Sequence, residues 1–591
     1  MIPFLIFHNK ASRIQAIGLL LAISIFFPLS LFADQIPANP PALSSAPSDV
    51  LIVTGKITDV QGKPLKDGHL FFFLNGQKID PEKTIITSKS GGFEWELALP
   101  SGRLSPSRVE IEVRKPSYKS SPRTRLERIV KAGRDEKGNT LFLAYQTIRL
   151  SRTVSPAFWI ATLILLAVYA LIAFEWMHRT LASLLGAALL LFITYTAGTF
   201  YPDYFVLSFE DALRAIDMNV IFLLMAMMII VGVMKRTGVF QWMAYKSFQL
   251  AKGNIFALAA VLMFVTALTS AFLDNVTTML LIIPVTIEIA VTLKVNPITL
   301  LLPEAFASNI GGTATLIGDP PNIMIGSYAK LTFVDFVQHL IFINLIGLAV
   351  SIVYFIYWHK KDYLKAQVSD VPRMISLLKE EYKITNAKLL VYCGIILGMT
   401  IFLFIIHGAL HMEPSIAAMI GAAVLLVVSK VDIVEMLEHE IEWPTLIFFM
   451  MLFVVVAGAE EAGLIQVIAD WVKGVAGGSL VAAILMVLWI SALVSAIIDN
   501  IPFTATMLPI VAYLTQVIPG AQSGVLWWAL SLGACLGGNG TMIGASANVV
   551  TVGMAERAGY PISFMSYLKV AFIPMIITIV LCSLWLLLVE M

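Results

Sequence analysis

Two dipeptides carry most of the chemistry available to this chain, Asp274-Asn275 and Asp499-Asn500, and each lies inside a long apolar stretch. A carboxylate within a membrane costs at least about 2.5–3.5 kcal/mol, so it is retained for a reason. Thr277 and Thr278 follow the first pair, and Asn309, Gly311, Gly312, Thr313, Thr315, Asp319 and Asn322 lie further on. Thr504 follows the second pair, with Gly537, Gly538, Asn539, Thr541, Ser546 and Asn548 beyond it. Carboxylate, amide and hydroxyl oxygens of this kind suit a hard monovalent cation or a proton. Asp274, Asn275, Asp499 and Asn500 are accordingly the expected cation ligands, and the whole set is the expected substrate and ion site. A plain structural reading stands beside this one, in which each Asp caps a helix near the membrane surface. Glu304 and Asp319 lack an acidic counterpart in the second set and are weaker choices.

The spacing of these residues reveals a duplication. Ser270 to Pro284 aligns with Ser495 to Pro509 at an offset of 225, which also pairs Ile216-Asp217 with Ile441-Glu442 and Gly238 to Gln241 with Gly463 to Gln466. One residue further on, Gly311-Gly-Thr-Ala-Thr315-Leu-Ile-Gly318 with Asn322 matches Gly537-Gly-Asn-Gly-Thr541-Met-Ile-Gly544 with Asn548. The run Gly318-Asp319-Pro320-Pro321-Asn322 must interrupt a helix, because neither proline can donate a backbone hydrogen bond. Inside a bilayer, broken backbone is tolerated only where it lines a cavity. The half-helix ends then offer amides to anions and carbonyls to cations.

Composition sets the frame. Of 591 residues, 58% are hydrophobic and 13% charged, against about 45–50% and 25% in soluble domains. A soluble enzyme, a disordered chain and a nucleic-acid binder are excluded. The net charge of +1 hides a division: +6 over residues 34–155 and −7 over 156–591. Cys393, Cys535 and Cys582 all lie in apolar segments, so the polar N-terminal part holds no disulfide framework and no zinc site. Residues 1–33, with Lys10 and Arg13 ahead of an apolar run, read as a signal peptide or signal anchor, and 34–48 as a Pro/Ala/Ser linker. Short alternating segments separated by turns over 49–152 predict a small extracytoplasmic β-sandwich.

Beyond Pro156, apolar runs of membrane-spanning length predict a mainly α, polytopic membrane protein. A first hairpin covers 156–215, transport repeat one 216–358, a basic cytoplasmic loop 359–388, a connecting pair 389–440 and repeat two 441–591. Spans are expected near 156–174, 180–200, 217–235, 254–270, 331–358, 389–408, 414–430, 443–460, 479–495 and 565–590, with 271–327 and 496–556 forming interrupted segments. Lys and Arg concentrate between Tyr357 and Lys388, which places that loop in the cytoplasm. Counting spans from there makes the repeats inverted, the arrangement of secondary transporters in a cytoplasmic (inner) membrane. No cofactor is expected, and Na⁺ and H⁺ enter as transported or coupling ions.

These motifs resemble the ion transporter superfamily and, within it, the arsenite-permease/sodium–proton-antiporter (ArsB/NhaD) group, in the branch of the melanosomal P proteins. Ser270 to Leu280, Asn309 to Asn322, Ser495 to Pro509 and Gly533 to Asn548 carry the resemblance, which covers roughly residues 156–591. It implies scaffold and transport domains with two re-entrant hairpins, elevator-type movement and a homodimer. The segment Gly55 to Phe93 resembles carboxypeptidase-regulatory-like, immunoglobulin-type modules, which implies a fold more than an activity. Sodium–dicarboxylate relatives carry Ser-Asn-Thr at both hairpin tips, whereas this chain has Asp274-Asn275-Val276 and Asp499-Asn500-Ile501. Hydroxyls are lost and two carboxylates gained, which disfavours a dianion, favours a small cation and allows a shared proton. Na⁺/H⁺ antiport is the expected function. Na⁺-coupled carboxylate or other anion transport, arsenite efflux and a membrane-tethered sensor are the alternatives.

Overall fold

The computed structural model describes residues 48–591, apart from 61, 63, 66–67, 80–84, 89, 101–107, 116–117, 120, 135–138, 152–153, 367–374, 376–377 and 381. The signal segment 1–33 and most of the linker lie outside the described residues. Two compact units divide the chain near residue 150.

The first unit is built from β-branched and aromatic residues in alternation. Strands β1 (Ser48–Asp59), β5 (Gly92–Pro100), β9 (Thr140–Leu150) and β8 (Ile129–Arg134) form one sheet in the order β5-β1-β9-β8. Strands β2 (His69–Leu74), β3 (Gln77–Lys78), β6 (Val109–Arg114) and β7 (Thr124–Arg125) form the other in the order β3-β2-β6-β7, with β4 (Ile85–Ile86) beside β2. Leu51, Val53, Ile57, Ile111 and Val113 are buried at the period of two that a one-sided sheet requires. Phe72 of one sheet stacks on Trp95 of the other with ring centroids 3.8 Å apart. Gly55 permits a close strand contact, since a Cβ there would stand 2.1 Å from the Gln146 carbonyl oxygen. The β-sandwich expected from the turns is therefore present.

The second unit is helical. Helices α1 (Pro156–Ala173) and α2 (Arg179–Tyr195) precede α3 (Met218–Lys235), α4 (Val239–Ala251), α5 (Ile255–Ser270), α6 (Asn275–Thr292), α7 (Ile298–Thr313), α8 (Pro320–Ala329) and α9 (Phe333–Trp358). After α10 (Ala387–Ile406) and α11 (Pro414–Ser429), the pattern returns as α12 (Trp443–Ala462), α13 (Leu464–Ala476), α14 (Leu480–Ser495), α15 (Asn500–Val517), α16 (Val525–Gly537), α17 (Ser546–Arg557) and α18 (Phe564–Leu588). Helices α3 to α6 start 225 residues before α12 to α15, the offset of the sequence repeat. Among the described residues, eight helices are long and apolar enough to cross a membrane, and α5, α11 and α14 are shorter apolar helices. The expected spans fall on helices within two residues at nearly every end; α2 stops at Tyr195, and a separate short turn covers Ala197–Phe200.

The two interrupted stretches resolve into α6-α7-α8 and α15-α16-α17. Their contacts are reciprocal: α6 packs on α17 as α15 packs on α8, and α7 packs on α16. Reciprocity of this kind marks an approximate two-fold relation between like elements.

Candidate functional site

Glycine determines how closely the broken helices approach their neighbours. A Cβ on Gly311 would lie 2.0 Å from the Ala267 carbonyl oxygen of α5, and one on Gly537 would lie 2.4 Å from that of Ala492 in α14. Gly312 and Gly538 meet the carbonyl oxygens of Gly318 and Gly544 at 2.6 and 2.7 Å in the same sense. These four glycines thus close-pack backbone on backbone.

Asparagine then satisfies the carbonyls released where the helices break. Asn322 Nδ2 donates to the carbonyls of Thr313 (3.0 Å) and Thr315 (2.9 Å). In the second half, Asn548 Nδ2 donates to those of Gly538 and Thr541, each at 2.9 Å. Several hydroxyls are likewise committed to backbone: Thr315 to Ala271, Thr541 to Ala496, Thr313 to Asn309 and Thr504 to Asn500. Buried polar groups need such partners.

The centre is an amide cluster joining the halves. Asn275 Nδ2 donates to Asn309 Oδ1 at 3.0 Å, and Asn309 Nδ2 donates to Asn539 Oδ1 (2.8 Å) and Asn548 Oδ1 (3.0 Å). All four are buried. Asn500 Nδ2 reaches the Asp319 carboxylate at 3.4 Å. Asn539 Nδ2 of this cluster is buried without a partner, as is Thr278 Oγ1 on α6.

The carboxylates sit at the helix starts. Asp274 caps α6, accepting from the Thr277 amide at 2.8 Å, and Asp499 caps α15, accepting from the Ile501 amide at 2.9 Å. Both therefore do what the structural reading expected of them. Val276, two residues beyond Asp274, lines the same cavity as Asp499. Beyond the caps their surroundings diverge. Asp499 Oδ2 accepts from Ser546 Oγ at 3.0 Å and stands 3.7 Å from Arg179 Nη1, which itself donates to Ser546 Oγ at 2.6 Å. Arg179 Nη2 also reaches Thr445, whose hydroxyl donates to Glu442. Asp274 has no arginine among its described partners.

Asp499, Arg179, Glu442, Ser546 and Val276 line one cavity of about 520 Å³. A second cavity of about 470 Å³ is lined by Asp217, Ser327, Lys330 and Glu460 together with Ala505 and Pro509 of α15. Helix α15 thus borders a polar cavity at its start and another near its middle. No group of three His, Cys, Asp or Glu side chains suited to a metal ion occurs among the described residues.

Sequence reasoning did not single out Arg179, Glu442, Ser531 or Cys535. Ser531 Oγ (2.6 Å) and Cys535 Sγ (3.6 Å) both donate to Asn322 Oδ1. The repeat already pairs Glu442 with Asp217, and carrying it at offset 226 pairs Cys535 with Asn309, which would have flagged Cys535.

Comparison with known proteins finds transporters. A citrate transporter family model matches residues 169–533. An uncharacterized transporter of Mycobacterium tuberculosis is 42% identical over 431 residues, spanning 72% of this chain and 97% of its own length. The P protein of Homo sapiens is 34% identical over 551 residues, spanning 80% of this chain and 65% of that protein. Among solved structures, the Alcanivorax borkumensis YdaH transporter aligns over 70% of this chain and 98% of its own, with 15% identity and a TM-score of 0.48. With broken-helix pairs in both halves and a family match across most of the helical unit, the chain belongs to the citrate transporter family and is an integral, multi-pass membrane transporter of a small solute.

Proposed function

We propose that this transporter exchanges Na⁺ for H⁺ by alternating access at the Asp274/Asp499 centre. The observation that carries the reading is a carboxylate at the start of each matching helix, Asp274 on α6 and Asp499 on α15, with Asp319 3.4 Å from Asn500 and Arg179 3.7 Å from Asp499. Carboxylates crowded in a dehydrated space cannot all stay ionised unless cations join them. A metal ion and a proton are then competing ways to neutralise the same charge, and competition at a common site is what antiport requires. The amide oxygens of Asn275 and Asn500 complete an oxygen ligand set.

The repeats being inverted, the cavity at Asp499 and Arg179 opens to the cytoplasm and the one at Asp217 and Glu460 to the outside. A rocking or elevator-type displacement of α6-α7-α8 and α15-α16-α17 would expose the centre to each in turn. The β unit lies outside the cytoplasm.

A second reading draws on Arg179 and on the unpartnered Asn539 Nδ2, both hydrogen-bond donors. They suit a carboxylate such as citrate, the substrate for which the matching family model is described. One assay separates the two. Purified protein in liposomes with an internal pH dye should show proton movement driven by Na⁺ alone, lost in Asp274→Asn and in Asp499→Asn. Flux that requires citrate or another carboxylate defeats the cation reading, and wild-type flux in both variants defeats the site.

A further inference from the structure

A second buried acid lies away from the hairpin tips. Glu304, in the middle of α7, is fully buried, and Thr286 Oγ1 of α6 donates to its Oε1 at 3.0 Å. Its other oxygen, Oε2, is buried with no partner. No arginine, lysine or histidine pairs with it among the described residues. One turn along α7, Ser308 Oγ lies 3.2 Å from Ser270 Oγ and 3.2 Å from the Asn275 carbonyl. A polar stripe therefore runs from Glu304 and Thr286 past Ser308 to the amide cluster.

The second half has no such stripe. The repeat places Phe503 opposite Thr278, Val511 opposite Thr286, Leu530 opposite Glu304 and Ala534 opposite Ser308. An apolar seam thus suffices to pack this hairpin, and the polar version in the first half serves something besides packing. An unpaired buried carboxylate costs several kcal/mol, whereas the neutral acid is tolerated.

We infer that Glu304 is a proton-binding site of the transport cycle, distinct from Asp274 and Asp499. This rests on the antiport reading and assigns the proton a residue of its own. The other titratable groups on the elements packed against α7 are Glu288 on α6, Asp335, His339 and the tyrosines of α9, Cys535 on α16, Glu556 and Arg557 on α17, and Tyr567, Lys569 and Cys582 on α18. None of them is a described hydrogen-bond partner of Glu304. Just beyond α9 lies Tyr363, whose hydroxyl donates to the Thr299 carbonyl of α7 and whose ring lies 5.9 Å from that of His359. Burial pushes the His359 pKa down to about 4, so this neighbour is neutral at physiological pH.

Dicyclohexylcarbodiimide, which attacks protonated carboxyls in apolar surroundings, tests the assignment on the full-length protein. Mass spectrometry should find the adduct on Glu304, with the yield falling several-fold as pH rises, and no adduct at that position in E304Q. In liposomes, E304Q should lose the pH dependence of flux that wild-type protein shows. Absence of the adduct from Glu304 at every pH, or an E304Q profile matching wild type, overturns the assignment. Should E304Q fail to fold, the labelling of wild-type protein decides alone. Absence of Na⁺-driven proton movement in wild-type protein defeats the antiport reading separately, and labelling then decides whether Glu304 binds a proton at all.

Discussion

The two halves of the helical unit share their joints and differ in what the joints enclose. Gly311 and Gly537, Gly312 and Gly538, Asn322 and Asn548, and Thr315 and Thr541 make the same contacts twice. Both halves also keep an Asp-Asn tip, Asp274-Asn275 and Asp499-Asn500, but other polar groups do not repeat: Asp319 aligns with Ala545, Glu304 with Leu530, Asn309 with Cys535, and Asp499 has an arginine where Asp274 has none. Features kept in both halves build the shape and the paired carboxylate tips, and features kept in one make the surroundings of those tips unequal. A perfectly symmetric pair would present identical sites, whereas divergence lets one tip hold charge that the other balances.

The sharpest way to break the shared part is at the glycines. Gly311→Ala and Gly537→Ala each drive a methyl into backbone at 2.0 and 2.4 Å. Overpacking of this sort costs about 1–3 kcal/mol or more, so both variants should lose most of their folded yield by size-exclusion chromatography. Gly553→Ala, with nothing within 4 Å, should be neutral or gain up to about 1 kcal/mol. A similar loss in all three would remove the close-packing argument.

Next in size are the asparagine clamps. Asn322→Ala and Asn548→Ala each release two or more buried carbonyls, at about 1–3 kcal/mol for each group left unsatisfied. Both should lower the thermal midpoint in detergent by a similar amount, since the clamps are equivalent. Unequal losses would show that Asn309 or Ser531, the partners that differ, carry the stability.

A smaller effect sharpens the unshared part. Arg179→Ala removes the cation beside Asp499, and an exposed or half-buried pair of this kind is worth roughly 1 kcal/mol. The apparent KM for Na⁺ should fall several-fold, because the ion no longer competes with a guanidinium. A rise would instead favour an anion held by Arg179, as in the carboxylate reading.

The smallest effect belongs to the β unit. Burial opposes the charge on Glu112, but Arg114 and Arg123 outweigh it and hold this carboxyl below the usual glutamate range. Its folded pKa is depressed, so its contribution is present above the ordinary value of 4.5 and is lost as pH falls through the folded value below that. Acid unfolding of the β unit, followed by tryptophan fluorescence, should shift by well under about 1 kcal/mol in Glu112→Gln, because both arginines are largely exposed. An equal shift at neutral and acid pH would assign the effect to packing.

Much of this architecture was legible in the residue order. A period of two and turn residues disclosed the sandwich, and an offset of 225 with paired prolines and glycines disclosed the broken helices. Local pattern governs such features. Arg179 was hidden because its partner Ser546 lies 367 residues away, and a lone arginine ahead of an apolar run reads as an interfacial anchor. The glycines were legible as helix breakers, yet only coordinates show what they touch. Gly311 and Gly312 are expected in the ion site by residue type alone, and the coordinates show each pressed against a neighbouring carbonyl.

At Gly311, where α5 meets α7, and at Gly537, where α14 meets α16, backbone rests directly on backbone. A joint of that kind can neither roll nor slip without first lifting apart, so each pair behaves as a single stiff blade. Thermal motion large enough to admit a solute must therefore concentrate in seams filled by side chains, such as the one where Tyr169 of α1 donates to the Pro502 carbonyl of α15. Spin labels on the two sides of that seam would record distance changes to which labels within a blade stay blind.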